Sequence, residues 1–246
     1  MKIMITGATS GIGKQLASDY LQDGHTVIAC GRSLEKLQAL EAQLTQETNR
    51  SRFSVLAFDV SDLQQTQKAL SQVSELDCVI LNAGVCEYID DLSEFEAELF
   101  ERVFAANFMG LVNCIDGLRS VLRKGDRLVL VDSMARLLPF TRAEAYGASK
   151  AAAHYLGNVL KIDLAKKGIA VTTVSPGFVE TPMTDANDFE MPMRITVEDA
   201  SKAIRKGIEK GKQQIYFPSV FGWILRFLGK LPLRVQLAIS RRMSKG

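Results

Sequence analysis

Short apolar runs alternate with longer stretches of helical periodicity along the chain, and this alternation limits the folds open to it. Most of the apolar runs are continuous rather than alternating in polarity. Strands buried on both faces of a parallel sheet have this pattern, because helices cover both sides of such a sheet. Seven strands are predicted, at residues 2–6, 26–31, 53–59, 78–82, 127–133, 170–176 and 214–217.

Helical periodicity fills the intervals between these runs. The predicted helices span residues 14–22, 34–47, 61–75, 94–122, 145–166 and 197–210. Alternation of this kind predicts an α/β fold with a doubly wound, mostly parallel seven-stranded sheet, helices on both faces and a C-terminal helical tail. No repeat, low-complexity segment or Pro/Gly linker divides the sequence, so we expect a single domain over residues 1–246.

Composition and charge argue against several other classes of protein. The longest charge-free runs, 103–115 and 213–225, have 13 residues, and a membrane-spanning helix needs about 20. The apolar run at residues 1–5 is too short for a secretory signal, and a net charge of +2 predicts no nucleic-acid partner. The four cysteines have no Cys-x-x-Cys spacing, so we expect a reducing, cytoplasmic setting without disulfides or a metal site.

A glycine-rich turn directly follows the first predicted strand and leads into the first predicted helix. Its glycines allow a tight turn and a close approach of backbone to phosphate, and the helix N-terminus presents free N–H groups. This context is typical of a Rossmann-type dinucleotide site, although an ordinary glycine turn would share the pattern. The predicted cofactor-binding residues here are Gly7, Thr9, Ser10, Gly11, Ile12 and Gly13.

The end of the second predicted strand bears on which dinucleotide binds. A site for NAD places Asp or Glu there, to bind the 2′-hydroxyl of the ribose. This chain has Gly31-Arg32-Ser33 and no carboxylate, and a guanidinium can hold a 2′-phosphate by two charge-assisted hydrogen bonds. Arg32 therefore favours NADP(H) over NAD(H); the alternative is a solvated arginine.

Further motifs follow the glycine-rich turn in a fixed order. They are Asn82-Ala83-Gly84, Asn107, Ser133, Tyr146 with Lys150, and Pro176-Gly177. Together with TGATSGIG at 6–13, they resemble the compact type of short-chain dehydrogenase/reductase, from residue 3 to about residue 181. The resemblance implies an NAD(P)-dependent oxidoreductase with Asn107, Ser133, Tyr146 and Lys150 as catalytic residues.

Elementary chemistry agrees with the roles that the resemblance implies for Tyr146 and Lys150. Residues four apart share one face of a helix. A free phenol has a pKa of about 10, and a neighbouring ammonium would lower it. Tyr146 is expected to act as general acid in reduction and general base in oxidation, with Lys150 also binding the nicotinamide ribose. A Tyr and a Lys on an ordinary surface helix would be the alternative.

Ser133 and Asn107 complete the catalytic set. Ser133 ends the fifth predicted strand, at the edge where ligands bind in open α/β sheets. In the family this serine donates to the substrate oxygen; the alternative is a turn cap. The family often has a second serine next to it, where this chain has Met134. Asn107 lies in an apolar helix, where the family's amide bends the helix and relays protons through a water; the alternative is a structural amide.

The resemblance also implies contacts to the rest of the cofactor. Asp59 and Val60 would approach the adenine, unless Asp59 instead caps the following helix together with Ser61 and Asp62. The other implied contacts are Asn82, Ala83 and Gly84 beside the adenosine ribose, Tyr146 and Lys150 near the nicotinamide, and Pro176, Gly177, Val179 and Thr181 beside its carboxamide.

Residues 181–196 are expected to form a lid over the substrate. Met183, Phe189, Met191 and Met193 would give the lid an apolar lining, unless they only pack the lid itself. The sequence therefore predicts hydride transfer between NADP(H) and the carbonyl or secondary alcohol of a small, apolar molecule. The alternative is a non-catalytic NADP(H)-binding sensor or scaffold on the same fold, which has no need of intact catalytic residues.

The C-terminal tail, residues 219–246, differs in charge from the rest of the chain. From Lys210 onward there are eight basic residues and no acidic ones, and residues 220–231 place apolar side chains at helical spacing. A basic, aromatic helix fits peripheral contact with an anionic membrane, but burial against another subunit or over the cleft also explains the apolar face. Family habit suggests a homo-oligomer. His154 has no ligand-spaced partner, so we expect it to be solvated or packed.

Overall fold

The computed structural model describes residues 1–45, 50–185 and 189–243. Its strands form one sheet in the order β3-β2-β1-β4-β5-β6-β7, and every neighbouring pair is parallel. The strands are β1 Lys2–Thr6, β2 Thr26–Gly31, β3 Phe53–Ala57, β4 Cys78–Leu81, β5 Arg127–Val131, β6 Ala170–Pro176 and β7 Gln214–Phe217. The predicted doubly wound, seven-stranded sheet is confirmed, and it is parallel throughout.

Helices cover both faces of this sheet. They are α1 Gly11–Gln22, α2 Leu34–Leu44, α3 Leu63–Leu70, α4 Ala97–Phe104, α5 Gly110–Leu118, α6 Glu144–Ala165, α7 Pro182–Asp185, α8 Val197–Glu209, α9 Ser219–Leu228 and α10 Leu233–Met243. One apolar layer lies between the sheet and α1, α2 and α8, and a second lies between the sheet and α3, α5 and α6.

The strands are apolar along their length because successive side chains enter different layers. Ile3 and Ile5 pack into the layer of α1, and Met4 between them packs into the layer of α3 and α5. The strand order reverses between β1 and β4. A crevice opens at such a switch point, at the carboxyl ends of the strands, and ligands of open α/β sheets bind there.

The long helix predicted over residues 94–122 is interrupted. The first part of it, α4, starts only at Ala97. The backbone N and the hydroxyl of Ser93 instead donate hydrogen bonds to the carboxylate of Asp91, ahead of the helix. A π-helical segment, Ala105–Met109, then joins α4 to α5. A π segment inserts an extra residue into the helical register, so it redirects the side chains that follow.

The helix predicted over residues 61–75 is shorter than its pattern suggests. Asp62 caps it by accepting from the backbone N of Gln65 at 2.9 Å, and α3 ends at Leu70. Val73 and Leu76 are buried in the same apolar layer as α3. The chain therefore turns back into the core after Leu70. Residues 46 and 47, at the end of the helix predicted over 34–47, lie outside the described residues.

Three of the four cysteines, Cys30, Cys78 and Cys114, are buried, whereas Cys86 is half-buried. Within residues 1–45, 50–185 and 189–243, no helix is both long and apolar enough to cross a bilayer. The same residues contain no group of three or more His, Cys, Asp or Glu side chains suited to a metal.

Candidate active site

The glycine-rich turn between β1 and α1 has the tight geometry that its sequence predicts. Gly7 and Gly11 have φ angles of +67° and +50°, in the left-handed region that favours glycine. A Cβ atom on Gly13 would lie 2.2 Å from the carbonyl oxygen of Gly7, which no side chain can occupy. The turn can therefore pack this closely only with glycine at these positions, and glycine adds no side chain that would shield the backbone from a phosphate.

The ends of β1 and β4 are tied together beside this turn. Thr6 Oγ1 accepts hydrogen bonds from the backbone N of Asn82 and of Ala83, at 3.0 and 3.1 Å. In return, Asn82 Nδ2 donates to the carbonyl oxygens of Thr6 and Gly7, at 3.2 and 3.4 Å. The predicted Asn82-Ala83-Gly84 segment thus fixes the shape of the turn.

The N-terminus of α1 fits an anion. Ser10 precedes the helix in extended conformation without a side-chain hydrogen bond to it, and the first turn holds no acidic residue. The N–H groups and the positive end of the helix dipole are thus left for a ligand. Thr181 lies against the turn, with its Cγ2 only 2.9 Å from the position of a Gly11 Cβ. These features fit the pyrophosphate of a dinucleotide.

Arg32 lies directly after β2, with its side chain 71% exposed and its Nη1 3.9 Å from Asp59 Oδ2. The Asp59 carboxylate also accepts from the backbone N and hydroxyl of Ser61, at 2.9 and 2.7 Å. Asp59 therefore forms a local turn with Ser61, whereas the cap of α3 is Asp62 and not Asp59. The carbonyl of Val60 accepts from Asn113 Nδ2 at 2.9 Å. The adenine contacts of Asp59 and Val60 stay predictions.

Three of the predicted catalytic side chains converge from two elements. Tyr146 and Lys150 lie four residues apart on α6, and Lys150 Nζ is 5.8 Å from the centroid of the Tyr146 ring. Lys150 Nζ donates to the carbonyl oxygen of Val131, the last residue of β5, at 3.1 Å. Ser133 caps a 3₁₀ turn by accepting from the backbone N of Ala135 at 3.1 Å, and its side chain is hydrogen-bonded to Tyr146. Ser133 thus serves both as the turn cap and as a neighbour of the phenol.

Burial sets the proton affinities of this pair. It raises the pKa of Tyr146 well above that of a free phenol, and the hydrogen bond with Ser133 acts in the opposite direction. Burial also lowers the pKa of Lys150 to about 8, against an opposing effect of Asp132. The titration of Lys150 therefore lies near neutral pH.

Asn107 occupies the middle of the π segment, and its side chain is buried. Its Oδ1 accepts from the backbone N of Val85 at 2.7 Å, and its Nδ2 donates to Val85 O and Ser149 Oγ, at 2.9 and 3.0 Å. These bonds show the structural role that the sequence left open. The proton relay implied by the family resemblance stays a prediction.

A cavity of about 100 Å³ lies at the carboxyl ends of the strands. Ten predicted site residues line it: Ile12, Asn82, Gly84, Ser133, Tyr146, Lys150, Pro176, Gly177, Val179 and Thr181. Val131, Asp132, Met183 and Thr184 complete its wall. The other ten predicted site residues belong to the flanking turns and helices and do not line it: Gly7, Thr9, Ser10, Gly11, Gly13, Arg32, Asp59, Val60, Ala83 and Asn107.

Comparison with known proteins bears on this geometry. The model of the short chain dehydrogenase family matches residues 1–191. An uncharacterized oxidoreductase of Myxococcus xanthus is 32% identical over 248 residues, which cover 98% of this chain and 96% of the relative. The chain belongs to the short-chain dehydrogenase family. It is therefore an NAD(P)-dependent oxidoreductase.

Two further relatives show the range of this family. The serine 3-dehydrogenase of Agrobacterium fabrum is 33% identical over 187 residues, covering 74% of this short-chain dehydrogenase and 73% of the relative. A short-chain dehydrogenase from Sphingobium yanoikuyae, solved in complex with NADPH, superposes with a TM-score of 0.79. It is 23% identical and covers 94% of this chain and 96% of its own, which confirms the fold.

Aromatic rings pack together on the predicted substrate side of this short-chain dehydrogenase. The ring of Phe189 packs edge-on against Tyr88 and Phe178, with centroids 5.6 and 6.2 Å apart. A short parallel bridge between Val179 and Ile195 joins the two ends of the predicted lid. Of the four residues predicted to give the lid an apolar lining, Met183 lines the cavity, whereas Phe189, Met191 and Met193 do not. Residues 186–188 of the lid lie outside the described part of the chain.

Helix α9 covers one flank of the substrate side. Phe221 and Leu225 are buried against Met134 and Leu138, and Phe221 packs beside Phe178, with ring centroids 5.9 Å apart. Met134, which stands where the family often has a second serine, is buried in this cluster and anchors α9. The interior half of the tail's apolar surface thus packs next to the cleft, one of the roles that the sequence left open.

One group of site residues was missed by the sequence analysis. His154, expected to be solvated or packed, has its Nδ1 2.6 Å from Asp132 Oδ2. Arg136 Nε lies 3.4 Å from the same oxygen, and the Asp132 side chain is fully buried. The sequence did offer one signal, because His154 stands four residues after Lys150 and Asp132 directly precedes Ser133. Asp132 of this group lines the same cavity as the predicted catalytic residues Ser133, Tyr146 and Lys150.

Proposed function

We propose that this chain is an NADP(H)-dependent carbonyl reductase/alcohol dehydrogenase that acts on an apolar substrate. One observation supports this above all: Ser133, Tyr146 and Lys150 line the same cavity, which opens beside the bare backbone of the glycine-rich turn. A carbonyl oxygen in that cavity would meet two hydroxyl donors. A non-catalytic binding protein has no need of this arrangement.

The residues have separate tasks in the proposed reaction. The bound nicotinamide supplies or accepts the hydride. In reduction, Tyr146 gives its proton to the substrate oxygen, and Ser133 donates a hydrogen bond that stabilises the charge developing there. In oxidation, Tyr146 takes the proton back. Lys150, held by the carbonyl oxygen of Val131, places its charge next to the phenol and favours the phenolate.

The reaction is tested by following NADPH oxidation with a panel of ketones, aldehydes, 3-oxoacyl thioesters and 2-aminomalonate semialdehyde, with serine and NADP⁺ for the reverse direction. We expect turnover with apolar carbonyls, and a loss of at least about 100-fold in kcat for Tyr146→Phe with unchanged NADPH affinity. Equal turnover by wild type and Tyr146→Phe would contradict the mechanism. Turnover of serine, but not of apolar carbonyls, would contradict the proposed substrate class.

The preference for NADP(H) is proposed from Arg32. Its exposed guanidinium lies at the end of β2 beside Asp59, and no carboxylate occupies the Arg32 position. The solved relative from Sphingobium yanoikuyae, which shares the fold, was crystallised with NADPH. A 2′-phosphate placed there would gain charge-assisted hydrogen bonds.

Binding measurements with Arg32→Ala test this preference. We expect the variant to bind NADPH about tenfold more weakly or worse, because a charge-assisted hydrogen bond contributes about 1.5–3 kcal/mol. Its affinity for NADH should stay the same. Arg119→Ala is the matched control, since Arg119 is a similarly exposed arginine paired with Asp116 on the same helical segment. Equal affinity of the wild type for NADH and NADPH would rule out the preference.

The proposed substrate class follows from the lining of the substrate side. Met183 lines the cavity, and Phe221 lies against Gly177 in its wall. Phe178 packs against both Phe221 and Phe189. Aromatic and thioether side chains favour an apolar molecule.

The three buried cysteines fit a reducing compartment, and we propose the cytoplasm.

Two exposed apolar surfaces support proposals about partners. On α6, Tyr155 and Ile162 are 73% and 67% exposed, and we assign this surface to a homo-oligomer contact. On α9, Trp223 and Phe227 are 64% and 54% exposed and stack on each other with centroids 5.9 Å apart. Arg226 and Lys230 lie beside that pair, and we assign it to an anionic membrane surface. Arg234, Arg241 and Arg242 are exposed on the following helix, α10.

A further inference from the structure

A buried carboxylate lies directly behind the catalytic residues and has no part in the proposed hydride transfer. Asp132 follows β5, precedes Ser133 and has no exposed side-chain surface. Its Oδ2 is 2.6 Å from His154 Nδ1 and 3.4 Å from Arg136 Nε. Its Oδ1 has no hydrogen-bond partner within the part of the chain that the structure describes. Burying such a group is costly, so its presence calls for an explanation.

The catalytic amine lies next to this carboxylate in the fold. Lys150 is buried, and its Nζ donates to the carbonyl oxygen of Val131, the residue before Asp132. That carbonyl is neutral and does little to offset the removal of a cation from water. A nearby negative charge is the usual means of keeping a buried amine protonated. Asp132 is placed to supply it.

We propose that Asp132 is a positioning residue whose negative charge keeps Lys150 and Tyr146 protonated, so that the site is biased toward donating a proton, that is, toward reduction. This inference rests on the proposed oxidoreductase function and adds a preferred direction to it. His154 and Arg136 hold the carboxylate from two sides. Arg136 is itself fixed, because its Nη2 donates to Tyr216 OH at 2.9 Å.

Electrostatic effects agree in sign for both members of the pair. Asp132 raises the pKa of Lys150, against the burial that lowers it to about 8. Asp132 also raises the pKa of Tyr146, in the same direction as burial. These direct effects of Asp132 favour the protonated forms of both groups, whereas the charge that it keeps on Lys150 acts on Tyr146 in the opposite direction. The other titratable and charged groups facing this region are Cys86 after β4, Arg136 after β5, His154 and Lys161 on α6, and Tyr216 on β7.

The test compares wild type with Asp132→Asn in two measurements. Reduction needs the protonated pair, so its rate falls as pH rises through the controlling pKa. The alkaline limb of kcat/KM for reduction should move to lower pH by about one unit in the variant, since an opposite charge shifts a pKa by about 1–3 units. The second measurement is the pKa of Lys150 by NMR on ¹³C-lysine-labelled protein, assigned with Lys150→Arg.

The NMR titration requires no turnover, so it separates two kinds of failure. An unchanged Lys150 pKa in Asp132→Asn would overturn this inference and leave the proposed function standing. If Asp132→Asn lowers the Lys150 pKa but the wild type reduces no carbonyl, the electrostatic inference is supported and the proposed function is wrong.

Two further variants separate charge from packing. His154→Gln keeps the carboxylate and a donor beside it, so the alkaline limb should stay in place. If His154→Gln moves the limb as far as Asp132→Asn, loosened packing is the cause and the inference fails. Arg136→Gln removes a cation next to Asp132 and should move the limb to higher pH. This arm remains decisive if Asp132→Asn does not fold, because an unmoved or lowered limb would overturn the inference.

Discussion

At the scale of single residues, the tightest packing in the glycine-rich turn is that of the Gly13 backbone against the carbonyl oxygen of Gly7. Gly→Ala in a helix interior normally stabilises a protein by about 1 kcal/mol. For Gly13→Ala we expect the reverse, a lower melting temperature and a loss of NADPH binding, because the new Cβ would lie 2.2 Å from the carbonyl oxygen of Gly7. Thermal melting and fluorescence titration with NADPH measure the two effects.

Gly147→Ala is the matched control for this substitution. Gly147 lies on α6, and a Cβ there would be 3.5 Å from its nearest neighbour, the carbonyl oxygen of Ala135. That distance is an ordinary van der Waals contact, so this variant should melt at the same temperature or higher. If the two variants have the same melting temperature and the same affinity for NADPH, the close approach at Gly13 contributes nothing to stability or binding.

A second residue-scale prediction concerns Asn107. Asn107→Ala leaves the N–H and the C=O of Val85 without their side-chain partner. An unsatisfied buried polar group costs about 1–3 kcal/mol, so the free energy of unfolding in urea should fall by about 2 kcal/mol or more. If the variant folds and retains full kcat, Asn107 has no relay role and is structural alone.

Residue identities were predictable where a motif carried them and not where contacts cross the fold. Ser133, Tyr146 and Lys150 follow from spacing and resemblance, and the structure places all three at one cavity. The role of His154 was missed because its partner, Asp132, stands 22 residues earlier in the chain. The pairing exists only once α6 has packed against the end of β5.

At the scale of elements, the strands were the most predictable part of the fold. A strand buried on both faces leaves a continuous apolar run, so β1, β2, β6 and β7 have the predicted bounds. The π segment at Ala105–Met109 was not predictable in this way. Its residues include neither Gly nor Pro, and its cause lies in the tertiary bonds from Asn107 to Val85.

The two faces of α9 give an element-scale prediction. Leu225 is buried against the cluster of Met134 and Phe221, whereas Val220 is exposed. Leu225→Ala should lower the free energy of unfolding by about 2–5 kcal/mol, and Val220→Ala by less than about 0.5 kcal/mol. Urea denaturation of both variants measures the difference. Similar values would mean that α9 does not pack on the body of the protein in solution.

At the scale of the whole molecule, substitutions in the exposed surfaces of α6 and α9 should have opposite effects on oligomeric mass and on vesicle binding. The double variant Trp223→Ser with Phe227→Ser should lose binding to vesicles containing phosphatidylglycerol and keep its oligomeric mass. Tyr155→Ser with Ile162→Ser should keep vesicle binding and lower that mass. Flotation and light scattering measure the two properties, and phosphatidylcholine vesicles test the requirement for negative charge.

Each pair of substitutions is the control for the other. If the α9 pair changes the mass and leaves flotation unchanged, the α9 surface is a subunit contact and the membrane assignment is wrong. If the wild type does not float with anionic vesicles at low salt, the membrane assignment also fails. The sequence alone could not decide this, because burial of Phe221 and Leu225 separates the tail's apolar residues into two faces only in the folded protein.

The bridge between Val179 and Ile195 has a consequence for how new specificities could arise. The chain leaves the body of the enzyme and re-enters it at nearly the same point, since these two residues are paired. Apart from Thr181, which lies against the glycine-rich turn, the segment that starts and ends at this bridge can be exchanged as a unit, with β6 and α8 undisturbed. Replacing this segment with that of a relative should transfer the relative's preference among carbonyl substrates and leave the proposed catalytic residues unchanged.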